Sequence, residues 1–303
     1  VVTAGGDMRR VLTVGLAGLA MCVAAVSAAG GAGAAAAVSS GTAIPGGGQN
    51  IRAPGHPGIA KRNTGSDTQS LNWAGYAQQA AGRGTFTGVT ATFVVTTVDT
   101  AVPGQQYSAD WVGIGGFASN KLVQAGIEED NIDGTAFYQA WTEILPHAEV
   151  PLSLAIAPGN KITVTVRQTA NKKNKNKRWS MTVTDDTTGL SGGRTVRYTS
   201  FEDSAEVIHE RPCIGSPCSS NLATLATTSN ETYEPAYYTS SAPNVAAVYH
   251  PLLASLGSVA TLYDIAMLGN DGSTVIAIPS DANTAADGFT VADGSTVPAA
   301  PSP

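Results

Sequence analysis

Histidine and cysteine are scarce in this 303-residue chain, with four of the first and three of the second, and charged side chains make up only 13%. Each shortage excludes chemistry. The histidines, His56, His147, His209 and His250, include no pair one helical turn apart with a glutamate between them, so the zinc-peptidase pattern is missing. The tripeptides Asp-Thr-Gly and Asp-Ser-Gly, which two-lobed aspartic peptidases carry twice, do not occur. A formal charge of -6 gives no concentrated positive field for nucleic acid or an anionic membrane. The basic run 171–178 lacks interleaved aromatics and reads as a solvated hairpin tip. No long amphipathic helix pattern and no internal repeat is present. Thr, Ser, Asn, Gly and Val dominate instead, a balance that favours strands and turns.

The amino end has the layout of an export signal. Met8, Arg9 and Arg10 precede an apolar run from Val11 to Val26, which is shorter than the roughly 20 residues a membrane span needs. Small residues follow, placing cleavage between Ala28 and Ser40. Residues 1–38 are therefore expected to be a signal peptide and 39–68 a linker or short pro-segment, with Lys61-Arg62 as a processing point. Signal removal takes Cys22 with it. Cys213 and Cys218 remain, and an even, closely spaced pair in an exported chain reads as a local disulfide. The expected location is secreted and extracellular, as a monomer with no stable membrane association once the signal is removed.

Period-two alternation marks strands. It is clearest at Lys161 to Thr169 and Trp179 to Thr184, and Phe86 to Val98 is rich in Val, Thr and Phe. Further strands are expected at 110–114, 123–127, 137–144, 194–199, 205–210, 258–268 and 274–279. Two sheets packed face to face satisfy this patterning, which gives an all-β folded domain over 69–283 and a disordered tail over 284–303. Gly189 to Gly193 matches the G-x-S-x-G elbow of serine hydrolases, but a strand rather than a helix follows Ser191, so a hairpin turn is the better reading. No residue set calls for a metal or a cofactor.

Carboxylate chemistry is left, with Glu143 and Glu206 each set among apolar, strand-like neighbours. Five patches occur in one order: NWAGY from Asn72, ADWVGIGG from Ala109, LVQAG from Leu122, YQAWTE from Tyr138 and SAEVIHERP from Ser204. Together they resemble the glutamic peptidases, or eqolisins, formerly grouped as peptidase family A4, in a bacterial-type branch. The resemblance implies a concanavalin A-like β-sandwich of two curved antiparallel sheets. It also implies a catalytic pair, Gln124 and Glu206, and polypeptide substrates. Glu206 would activate a water by taking its proton, ionised at moderately acid pH, and Gln124 would donate to the carbonyl oxygen as negative charge develops. Trp73, Trp111, Trp141 and Glu143 would shape the substrate cleft. Where many relatives carry aspartates, this chain has Gly115 and Gln139. Two other readings keep the sandwich: a carbohydrate-binding or glycoside-hydrolysing domain using Glu143 with Glu206, and an inactive secreted binding protein.

Overall fold

The computed structural model describes residues 68–169, 177–214, 221–241 and 248–303, and every regular element among them is a strand. In chain order the first are β1 (Thr68–Ser70), β2 (Trp73–Ala80), β3 (Phe86–Val94), β4 (Gln105–Gln106), β5 (Ala109–Ile114) and β6 (Val123–Ile132). Then come β7 (Thr135–Ile144), β8 (Val150–Pro151), β9 (Lys161–Thr169), β10 (Arg178–Asp185), β11 (Leu190–Arg197) and β12 (Ser204–Glu210). The last are β13 (Glu231–Ser240), β14 (His250–Pro251), β15 (Ala260–Leu268), β16 (Val275–Pro279) and β17 (Phe289–Asp293).

The pairings form two layers. One runs β1, β15, β2, β12, β5, β6, β7, β8, with β4 also on β6. The other runs β11, β10, β9, β3, β13, with β14 and β17 on β13. Strand β16 pairs with both β15 and β17, so the ladder is continuous around one edge. All pairs are antiparallel except β1 with β15. The facing side chains alternate along each strand, as the pleat requires. Val112 and Ile114 of β5, Ala205 and Val207 of β12, Val164 and Val166 of β9 and Met181 and Val183 of β10 all enter one buried cluster. Burying each of the Val, Ile and Met side chains contributes about 1.5–3 kcal/mol.

Two expectations are corrected. The carboxyl end is ordered through β17, because Phe289 and Val291 are buried and Phe289 stacks on Tyr233 at 4.8 Å. Strand β13, absent from the sequence reading, lies within the second layer between β3 and β17. The Ser191 motif is a hairpin: Ser191 pairs with Thr184 across β10 and β11, and the Asp185 carboxylate accepts from the Thr187 amide at 2.9 Å. The signal, the linker, Cys218 and most of the basic run lie outside the described residues. No helix among the described residues is long and apolar enough to cross a membrane.

Candidate active site

The outward face of the first layer carries the candidate residues in register. One row crosses it from Tyr263 through Ala77, Glu206, Gly113 and Gln124 to Glu143. Directly opposed residues in a sheet point to the same face, so Glu206 and Gln124 flank Gly113 on one side of the sheet. Their backbones are two strand spacings apart, about 10 Å. The glycine between them carries no side chain, and Leu122 and Trp111 close over it. A Cβ on Gly113 would stand 2.7 Å from Leu122 Cδ1 and 2.9 Å from Trp111 Cζ3, so these two side chains pack over the glycine between the pair, and a substrate must displace at least one of them to reach both groups.

The next row holds Gly75, Ile208, Trp111, Gly126 and Trp141, and the one beyond it Trp73, Glu210, Ala109, Glu128 and Gln139. Trp73, Trp111 and Trp141 thus share the face with the central pair, and Trp73 meets Trp111 edge-on at 5.0 Å. All three are buried. Gln139 is engaged elsewhere, donating to the carbonyls of Ala140 and Leu152.

Burial governs the electrostatics. Glu206 is fully buried, and this desolvation holds its pKa well above the usual 4.5; Asp203 adds to the rise, while the Ser204 hydroxyl and the Phe117 amide oppose it. Neither of its carboxyl oxygens makes a well-formed hydrogen bond. The expectation of ready ionisation in moderate acid is therefore corrected: an apolar setting disfavours the charged form. Gln124 donates from Nε2 to Glu143 Oε2 at 2.5 Å, which restrains the amide and leaves a second N–H on the same nitrogen. Glu143 is also raised well above its usual value, by burial first, with the Gln124 hydrogen bond opposing.

A second polar set lies on the other side of the same strands, between the layers. Asp110, Glu129 and Glu231 place carboxylate oxygens within 4.8 Å of one another, a spacing that could hold a metal ion. A cation is already there. His209 Nδ1 pairs with Asp110 Oδ1 at 2.9 Å. Burial pulls the His209 pKa down, but the Asp110 charge and hydrogen bond outweigh it and push it up to about 9. Tyr233 also donates to Asp110, and Glu129 accepts from the Thr96 amide at 2.9 Å and hydroxyl at 2.6 Å. Sequence reasoning missed this set. The signal was Glu128-Glu129-Asp130, three consecutive acids inside a strand, which send the middle one to the core and the outer two to the face.

A family model described as the peptidase A4 family matches residues 71–249. The chain belongs to the peptidase A4 family. Among solved structures, scytalido-glutamic peptidase with a transition-state analogue inhibitor is 21% identical with a TM-score of 0.57, covering 74% of this chain and 98% of that one. SCP-B, a member of the eqolisin family in complex with the tripeptide Ala-Ile-His, is 19% identical with a TM-score of 0.53 and the same coverage. These likenesses establish the shared all-β fold. A search of curated proteins returned no match.

An aspartate at position 115, expected from the family resemblance, has no room in this chain. Gly115 sits at φ +78°, and a Cβ there would stand 2.2 Å from the Lys121 carbonyl oxygen. The left-handed conformation alone costs a side chain about 1–2 kcal/mol, and the clash adds to it. Restoring the aspartate by Gly115→Asp is therefore expected to destabilise the fold by at least about 2 kcal/mol, measured as a lower urea midpoint. An unchanged midpoint with raised activity would contradict this account of the loop.

Proposed function

We propose that this A4-family chain is a secreted endopeptidase in which Glu206 activates the attacking water and Gln124 stabilises the tetrahedral oxyanion. The observation that carries the reading is the row Glu206, Gly113, Gln124: two side chains of complementary chemistry on one face, separated by a residue with no side chain. Glu206 as carboxylate takes the proton of water and returns it to the leaving nitrogen. Gln124 offers a neutral donor whose orientation Glu143 holds. No covalent acyl-enzyme is required. The substrate lies extended on the sheet face, and the known A4 likeness to peptide-bound and inhibitor-bound structures supports a polypeptide substrate.

The maturation scheme is part of the same proposal: removal of residues 1–38, a linker or pro-segment over 39–68, a Cys213–Cys218 disulfide and an extracellular monomer. The glycosidase alternative fits less well. Glu143 and Glu206 stand three strand spacings apart at the backbone, about 14 Å, with the Gln124 amide between them and hydrogen-bonded to Glu143.

The test is digestion of a denatured protein and a quenched peptide by the mature chain and by Gln124→Ala, from pH 3 to pH 8. Loss of one oxyanion donor is expected to lower kcat about 10²- to 10³-fold while KM changes little. Equal kcat in the variant and the parent would refute the assignment.

A further inference from the structure

We propose that Glu210 is a positioning residue of the peptidase, holding the Trp111 indole in the one orientation that walls the slot between Glu206 and Gln124. The inference rests on the reading of the site given above. Glu210 follows Glu206 by four residues on β12 and shares its face, but it stands about 13 Å further along the strand, too far to touch the same peptide bond. Its reach is indirect. Trp111 donates its indole N–H to Glu210 Oε2 at 2.7 Å. Asn72 donates from Nδ2 to Oε1 at 2.8 Å, and Asn72 is itself held by the Ser70 hydroxyl, which donates to Asn72 Oδ1 at 3.0 Å.

The indole has its N–H at one end and Cζ3 on the far side of the benzo ring. Anchoring the first fixes the second, and Cζ3 lies against Gly113, 2.9 Å from where a Cβ would be. A turned indole would take its N–H away from Glu210 and present a different ring edge to the slot. Trp73, edge-on at 5.0 Å, supports the ring but does not choose between its two faces. The hydrogen bond does, because a buried N–H left without an acceptor costs about 1–3 kcal/mol.

A carboxyl buried to 1% exposure is an expensive way to fill space, since an apolar side chain of similar size carries no desolvation penalty. Its presence on this face is explained by the donors it satisfies. Burial pushes its pKa up to about 8, with hydrogen bonds from Trp111, Asn72 and Trp73 opposing. Each of its two oxygens accepts an N–H donor, and its action on Trp111 is geometric.

The experiment is a double-mutant cycle on kcat and KM at pH 5. Glu210→Leu is expected to lower kcat about 10- to 100-fold, the scale of a small misplacement near reacting groups, with KM within about threefold. Glu210→Gln, which keeps an acceptor for the indole, is expected to rescue kcat to within about threefold of the parent. In a Trp111→Phe background, where the N–H is gone, Glu210→Leu is expected to change kcat by less than about twofold. If Glu210→Leu does not fold, Glu210→Ser, too short to reach the indole, takes its place in the cycle. Equal losses in both backgrounds, or wild-type kcat in Glu210→Leu, would overturn the proposal. Glu206→Gln measured alongside separates the two levels: an active Glu206→Gln refutes the site reading, whereas an inactive one beside a fully active Glu210→Leu refutes the role of Glu210 alone.

Discussion

Glu206→Gln is expected to reduce kcat by about 10⁴-fold, the upper range for removing a positioned general base, with little change in folding. The substitution keeps size and shape, and burial already disfavours the charged form of Glu206, so the fold loses little charge interaction. What disappears is the ability to take a proton from water. The Ser204 hydroxyl and the Phe117 amide are the donors an incoming water would compete with, and both carboxyl oxygens are buried without a well-formed hydrogen bond. In the glutamine variant one of those positions becomes an NH₂ donor that cannot deprotonate water. Single-turnover cleavage of a quenched peptide, with the urea midpoint recorded on the same sample, separates this result from unfolding. Activity within tenfold of the parent would remove Glu206 from the mechanism.

The second large effect is a loss of stability as pH rises. Burial, with the Asp110 charge adding, pushes Glu129 from its usual 4.5 to about 8, against the hydrogen bonds from Thr96. The unfolded chain releases this proton near 4.5 and the folded chain near 8, so between those values the folded state binds more protons. Stability is then fully present below 4.5 and falls by about 1.4 kcal/mol per pH unit for each such group until the folded pKa is reached. Glu210, raised to about 8 chiefly by burial, acts in the same window. His209, raised from 6.5 to about 9, contributes with the same sign from pH 6.5 upward, since its stabilising charge is lost as pH rises through the folded value. The groups facing this cluster are Asp110, Glu231 and Tyr233, with Asp293 close enough to raise His209.

The urea midpoint is therefore expected to be highest near pH 4 and to drop steeply by pH 8, followed by tryptophan fluorescence. A midpoint that stays level or rises would contradict the account. Activity is bounded from the other side, because the Glu206 base form gains population only as pH climbs past the usual carboxylate range.

Much of this was legible from residues alone. Strands β9 and β10 alternate cleanly, one face apolar and one rich in threonine, and the five patches already place the candidate pair on separate strands. The failures have local causes. Strand β13 contains Pro235, which lacks an amide donor, and the register breaks between Tyr233 and Ala236, where that absence is tolerated. Strand β17 is short, lies between Gly288 and Gly294 and is followed by a Pro-Ala-rich end, so composition concealed an apolar alternation of only Phe289 and Val291. Strand β6 runs past its expected end because its buried acids are accommodated by donors from Thr96 and Ser108. Glu210 stood inside a recognised patch, yet its partner Trp111 is 99 residues away, a contact that spacing along a strand does not reveal.

The measurement that bears most directly on the central claim is a crystal structure with a peptide analogue carrying a tetrahedral, oxyanion-like centre. The account predicts that centre over Gly113, with a Glu206 carboxyl oxygen and the Gln124 amide nitrogen each within about 3.2 Å of oxygens on the same tetrahedral atom. An analogue bound with only one of the two side chains in reach, or seated away from the Gly113 slot, would contradict it.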